Sequence, residues 1–220
     1  MLLRDTYSMD LAGARGLIAR HGRATIVTLG PEGLKATYGY CLLEPENGPD
    51  ITIVGHIARA DPQSSDLIAG CETLLIFDGP HGYVSASWYA PTLRHVPSTW
   101  NYSAVHLTGI PEVLDADDTF ALLRRTLEWH ESALPEEDRW SLDDDKALEF
   151  ARRIAPGTCA FRLHASKMEA KAKLSQDMPA AVIEQITARL AEPGPYQHPD
   201  LAASMIRLNN GWETNGATTD

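Results

Sequence analysis

Apolar positions near the N-terminus recur at helical spacing. Leu11, Ala14, Leu17 and Ile18 form a stripe over residues 10–21, and Gly22 follows as a stop. The period then changes. Residues 24–29 are rich in β-branched side chains and end at Gly30-Pro31-Glu32-Gly33, a turn signal, so residues 34–43 are expected to return as the second strand of a hairpin. A further strand is expected over 50–57. Asp61-Pro62 reads as the cap and first turn of a short helix ending near Ala69. Strands are expected again over 73–77, 82–87 and 101–114, with a loop rich in proline and aromatics between Trp88 and Trp100.

A helical pattern over 117–134 places Phe120, Leu123, Leu127 and Leu134 on one face, and a second helix is expected over 146–154. One long strand is expected over 158–173. Asp177 and Pro179 then open a helix with Val182, Ile183, Ile186 and Leu190 as its apolar face. A last helix over 199–208 precedes a polar tail, expected to be mobile. Short strands with tight turns and few intervening helices indicate a mainly β fold with peripheral helices, an antiparallel barrel rather than a parallel α/β sheet.

Composition narrows the partners. The chain has 220 residues with 30 acidic and 19 basic side chains, a balance that disfavours a direct nucleic-acid binder. Much of the negative charge lies in residues 112–149, which hold 13 acidic and 4 basic side chains and read as a solvated helical lobe. Three cysteines without CxxC spacing argue against a disulfide framework and fit a reducing cytoplasm. No apolar run approaches the roughly 18 residues of a membrane span. GxGxxG, Walker, HExxH and GxSxG signatures are absent.

Three stretches carry candidate chemistry. Residues 55–63 place His56 and Arg59 at a strand end before a capped helix. That corner suits an anion, and it suits equally an arginine paired with an acid at a barrel rim. Residues 79–89 and 96–102 set large aromatics among small hydroxyl residues, the composition of a slot for a flat ring or of a core cluster at a loop. Residues 171–177 bring Lys171 and Lys173, able to neutralise a phosphate or propionate or simply to be solvated.

Taken in order, Gly-His-Ile-Ala-Arg-Ala-Asp-Pro-Gln (55–63), Ser-Ala-Ser-Trp-Tyr (85–89), Val-Pro-Ser-Thr-Trp-Asn-Tyr-Ser-Ala-Val-His (96–106) and Lys-Leu-Ser-Gln (173–176) resemble the successive signatures of PaiB-type proteins. That family is similar to the FMN-binding split β-barrels. The resemblance implies a homodimer with cofactor pockets at the subunit interface. It also implies a cofactor-binding barrel over residues 1–176, interrupted by a helical insertion at about 117–155, and a C-terminal helical extension with a tail over 177–220. The label of negative transcriptional regulator attached to many members implies an indirect route here, since no helix-turn-helix signal is present.

The chain departs from the usual pattern at Tyr38, at Ser64-Ser65, at Pro97-Ser98-Thr99 and over Ala90–Arg94. These departures point to the branch resembling piperazate synthases, which bind haem b. They close N5-hydroxy-L-ornithine into L-piperazic acid by forming an N–N bond with loss of water. In that branch's terms His56 is the expected iron ligand and His106 the alternative. Arg59, Arg94 and Lys173 are candidates for the propionates. Ala58, Ser85, Ser87, Trp88, Trp100 and Ser175 are cofactor contacts, and Arg59, Tyr89 and His106 are catalytic candidates. With FMN instead, Arg59 and Lys173 would hold the phosphate while Ser85, Ser87 and Trp100 line the ring, in a flavin reductase, a flavin sensor or an indirect regulator.

Overall fold

The computed structural model describes residues 1–45, 50–93 and 95–213. Nine strands run along these residues: β1 (Arg23–Gly30), β2 (Gly33–Leu43), β3 (Thr52–Ala58), β4 (Thr73–Asp78), β5 (Gly82–Val84), β6 (Thr99–Gly109), β7 (Pro111–Val113), β8 (Thr158–His164) and β9 (Lys167–Lys173). Six α-helices join them: α1 (Leu11–Arg20), α2 (Ser64–Ile68), α3 (Ala116–Glu131), α4 (Asp145–Ile154), α5 (Ala180–Ala191) and α6 (Pro199–Glu213). The chain divides into two compact units that interleave in sequence. The first holds residues 1–14, 78–105 and 169–220; the second holds 15–77 and 106–168.

The second unit is built on antiparallel pairing in the order β4-β1-β2-β3-β8-β7. The expected hairpin forms, with Gly30 opposite Gly33 and Arg23 opposite Tyr40. Alternation sends Ala24, Ile26 and Thr28 inward from β1 while Leu29 stays exposed. A Cβ on Gly30 would collide with the Asp66 carboxylate, so the hairpin end can close over α2 only because that position has no side chain. Asp66 is buried. It accepts from Thr28 Oγ1 at 2.9 Å and pairs with Lys35 Nζ at 3.2 Å. Gln63 Nε2 adds bonds to the carbonyls of Ile26, at 2.9 Å, and Lys35, at 3.3 Å. Asp61 accepts from the Gln63 amide at 2.8 Å, one step ahead of α2, which begins at Ser64.

Two expected long strands are each divided. The stretch from Asn101 breaks at Ile110 and Pro111. Proline has no N–H to continue the ladder, and β7 pairs instead with β8. The stretch from Thr158 breaks at Ala165-Ser166, whose amides donate to two different segments, to Ile51 O and Thr108 O. The strand expected over 82–87 stops at Val84, because Ser85 caps a 3-10 turn over Ala86–Trp88.

Helix α3 starts at its Asp115 cap and packs on the sheet, but its buried positions are Thr119, Leu122 and Thr126. The face expected from Phe120, Leu123, Leu127 and Leu134 is rotated by one position, and Leu134 is exposed. Threonine reads as polar in a periodicity pattern, yet here each hydroxyl is satisfied locally, Thr126 by Leu122 O at 2.9 Å and Thr119 by Leu114 O at 3.5 Å. Leu122 joins Leu42, Val54, Leu114 and Ala160 in one apolar cluster.

The first unit places β5 and β9 on β6. Its core combines Val84, Tyr89, Ala172 and Leu174 with α5 and α6. The expected apolar face of α5 (Val182, Ile183, Ile186 and Leu190) is buried there. Pro179 rather than Asp177 stands at the α5 cap position. Helix α6 runs past the expected end at Leu208, and the tail over 214–220 lies outside the described residues. No helix among the described residues is long and apolar enough to cross a membrane.

The rotated α3 face can be tested by truncation. Leu122→Ala is expected to cost about 2–4 kcal/mol in urea unfolding, and Leu134→Ala about 0.5 kcal/mol or less.

Candidate functional site

The first unit holds a cavity of about 340 Å³ where the N-terminal segment, the chain before and into β6, and the end of β9 converge. Leu2, Arg4 and Tyr7 come from the N-terminal segment, Tyr89 and Val96–Thr99 from the loop before β6, and Asn101 from β6 itself. Lys171, Lys173, Ser175, Asp177 and Met178 complete the lining. The aromatic-hydroxyl stretch and the lysine stretch of the sequence, 74 positions apart at Asn101 and Ser175, therefore meet at one site.

Ser175 is held at φ 62, the one non-glycine residue in the left-handed region among those described. That conformation costs of order 1 kcal/mol and is maintained by its neighbours. Gln176 Oε1 accepts from the Leu174 amide at 2.7 Å, and its Nε2 donates to Ala172 O at 2.6 Å and Thr6 O at 3.1 Å. The turn so fixed presents Ser175 Oγ to Asn101 Nδ2 at 2.8 Å. Asn101 is fully buried, and its Oδ1 has no partner among the described residues. A buried acceptor left open beside a cavity is a position for a ligand donor.

Cations surround the same space. Lys173 Nζ bonds Thr99 Oγ1. Lys171 Nζ donates to Leu2 O at 3.0 Å and lies 5.2 Å from the centre of the Tyr102 ring. Arg4 is exposed at the rim. Asp177 is the counter-charge and accepts from Tyr7 OH at 2.7 Å. Burial, together with the Asp177 hydrogen bond and charge, pushes the Tyr7 phenol from 10.0 up to about 12. Tyr7 and Asp177 are 170 positions apart; Asp177 closes the 171–177 stretch, whereas no local pattern marks Tyr7 as a site residue.

Of the residues singled out in the sequence for cofactor or catalysis, Tyr89, Lys171, Lys173 and Ser175 line this cavity. Tyr89 is buried, and its hydroxyl lies 3.5 Å from Pro97 O. In the same unit, Ser85 and Ser87 bond each other at 2.8 Å around their 3-10 turn. Trp88 packs edge-on to Tyr196 at 6.2 Å, and Trp100 is exposed with His81 at 5.8 Å. Arg94 lies outside the described residues.

His56, Ala58, Arg59 and His106 belong to the second unit. His56 sits on β3 opposite Tyr40 and Ala160, and its buried Nδ1 has no partner among the described residues. Burial lowers its pKa, which favours the neutral imidazole that a metal ligand requires. Ala58 is exposed at the end of β3. Arg59 donates through Nε to Pro156 O at 3.1 Å and through Nη2 to Thr158 O at 3.0 Å, closing the strand end against the segment before β8. His106 is half-buried on β6.

The family model described as "Putative FMN-binding domain" matches residues 1–167. The "Protease synthase and sporulation protein PAI 2" of Bacillus subtilis is 35% identical over 125 residues, 57% of this chain and 58% of its own. An uncharacterized Aspergillus fumigatus protein is 29% identical over 59% of this chain and 62% of its own. The chain thus matches about three-fifths of the length of each of these curated relatives.

Among solved structures, the FAD and heme binding protein from Mycobacterium smegmatis superposes with a TM-score of 0.56 at 17% identity, covering 84% of this chain and 80% of that one. The flavocytochrome Anf3 from Azotobacter vinelandii gives 0.54 at 16% identity, covering 77% and 72%. At such identities the likeness concerns the fold, which is the expected mainly β split barrel with peripheral helices.

Tyr7 offers a check on the cavity's electrostatics. The neutral phenol is favoured in the folded state, so its contribution to stability is complete below pH 10.0 and is lost as pH rises toward about 12. Asp177→Asn is expected to move the Tyr7 transition, read as phenolate absorbance, toward but not down to the ordinary value, because burial is the larger cause.

Proposed function

This chain belongs to the PaiB-like FMN-binding-domain family, and from that premise we propose that it is a flavin-binding protein whose first-unit cavity takes FMN. The observation that carries the reading is the open Asn101 Oδ1 beside a cluster of cations. FMN combines a dianionic phosphate with hydroxyl and imide donors, the complement of such a lining. Lys171, Lys173 and Arg4 are the residues for the phosphate. Asn101 accepts from a ligand donor, while Ser98, Thr99 and Ser175 offer hydroxyls. Bound FMN would supply hydride and single-electron chemistry at its ring, which makes a flavin reductase or flavin sensor the expected activity. Regulation of transcription would then be indirect. The cytoplasm is the proposed location.

A homodimer is part of this reading. Leu29, Leu34 and Tyr38 are exposed on the β1–β2 hairpin, an apolar surface suited to a second copy. Light scattering is expected to give twice the 24.1 kDa chain mass.

One observation favours a second reading. The half-buried His56, whose burial favours the neutral ring and whose Nδ1 has no partner among the described residues, would hold the iron in a haem-dependent piperazate synthase. In that reading N5-hydroxy-L-ornithine loses water as its N–O bond breaks and the N–N bond forms, with no net redox change. Haem b would supply a Lewis-acidic iron. Arg59 would take the substrate carboxylate through the N–H groups its backbone bonds leave over, and Tyr89 and His106 are the candidates for proton transfer.

The absorption spectrum of the purified protein separates the two. Twin flavin bands, with FMN binding about tenfold weaker in Lys173→Ala, are expected. Riboflavin binding as tightly as FMN would sink the phosphate assignment. A Soret band abolished by His56→Ala, with mass-spectrometric loss of water from N5-hydroxy-L-ornithine, would establish the second reading instead.

A further inference from the structure

The second unit contains a cavity of about 370 Å³ of its own, between the end of β3, the start of α3 and the junction of α4 with β8. Its volume lies within the range of small-molecule sites, roughly 300–1,000 Å³. We propose that it binds a small zwitterion, a free α-amino acid with an apolar side chain, independently of the cofactor.

The charges at its rim carry this inference. Arg59 and Arg152 stand on the same cavity as Asp115 and Asp117, and none of the four is ion-paired with another among the described residues. Arg152 lies 4.6 Å over the Phe120 ring and makes no hydrogen bond among the described residues. Arg59 spends Nε and one Nη2 hydrogen on Pro156 O and Thr158 O, which leaves Nη1. Asp115 uses one carboxylate oxygen to accept from the Asp118 amide at 2.9 Å, which leaves the other. Asp117 makes no hydrogen bond among the described residues.

Two cations and two carboxylates around one space discriminate by ligand charge. A simple anion meets the aspartates, and a simple cation meets the arginines. A molecule bearing a carboxylate and an ammonium a few bonds apart satisfies both pairs at once. The lining between them is largely apolar, with Thr119 and Thr158 as its uncharged polar members. Leu114 and Ala155 are buried there, and Phe120 is half-buried under Arg152. That surface provides for the side chain and disfavours purely polar zwitterions.

Calorimetric titration of the full-length protein with L-leucine tests the proposal. N-acetyl-L-leucine, which lacks the ammonium, and L-leucinamide, which lacks the carboxylate, are the controls. L-leucine is expected to bind, and each blocked form to bind about tenfold more weakly or worse. Arg152→Ala and Asp117→Asn, both at exposed positions, are each expected to weaken L-leucine by about tenfold, whereas Asp117→Asn is expected to tighten N-acetyl-L-leucine by removing a repelling charge. FMN binding is expected to be unchanged in both variants, so a failure here is distinguishable from a failure of the flavin reading. Absence of L-leucine binding, or equal binding of the blocked forms, overturns the proposal whether or not the variants fold.

Discussion

A carboxylate cannot be buried alone, and Asp66 is buried. The short helix α2 therefore has to rest where Thr28 and Lys35 can reach it, across the end of the β1–β2 hairpin. Gln63 completes the attachment by donating to a carbonyl on each strand. With α2 so anchored, β3 is fixed at its C-terminal end, and Arg59 ties that end to the segment entering β8. The order β1-β2-β3-β8 follows. The block from Gly55 to Asp66, chemical in appearance, thus does much of its work holding strands in register.

The first unit spends stability differently. Ser175 occupies a left-handed conformation that a glycine would tolerate without cost, and it does so under a network tied by Gln176. The result is an asparagine oriented by its amide nitrogen and left with an open, fully buried oxygen. Strain and an unsatisfied acceptor at one place, on the wall of a cavity lined by cations, are the physical signs of a site kept ready for a ligand. His56 is the corresponding feature of the second unit, a histidine whose burial favours the neutral ring.

Net charge obscures both cavities. The chain is strongly acidic, yet the first-unit cavity gathers Arg4, Lys171 and Lys173, and the second cavity opposes two arginines to two aspartates. Formal charge describes the solvated surface, where residues 112–149 dominate. Binding responds to the few groups within a Debye length of the ligand.

Strand and helix periods were legible in the sequence because they arise from local alternation. The β1–β2 hairpin and the buried face of α5 follow from neighbouring residues alone, as do the ends of α1 and α4. The four family signatures likewise marked the family itself, and they contain Tyr89, Asn101, Lys173 and Ser175, which line the first-unit cavity. Tertiary contact decided the rest. After the break at Ile110, β7 finds its partner only in the distant β8, and α3 turns Thr119, Leu122 and Thr126 inward because Leu122 meets Leu42, Val54 and Ala160 of the sheet. Tyr7 meets Asp177 across 170 positions, and the open oxygen of Asn101 exists only once Ser175 has taken its amide. Such features depend on which distant groups are left without partners when the core closes, and local sequence carries no record of that.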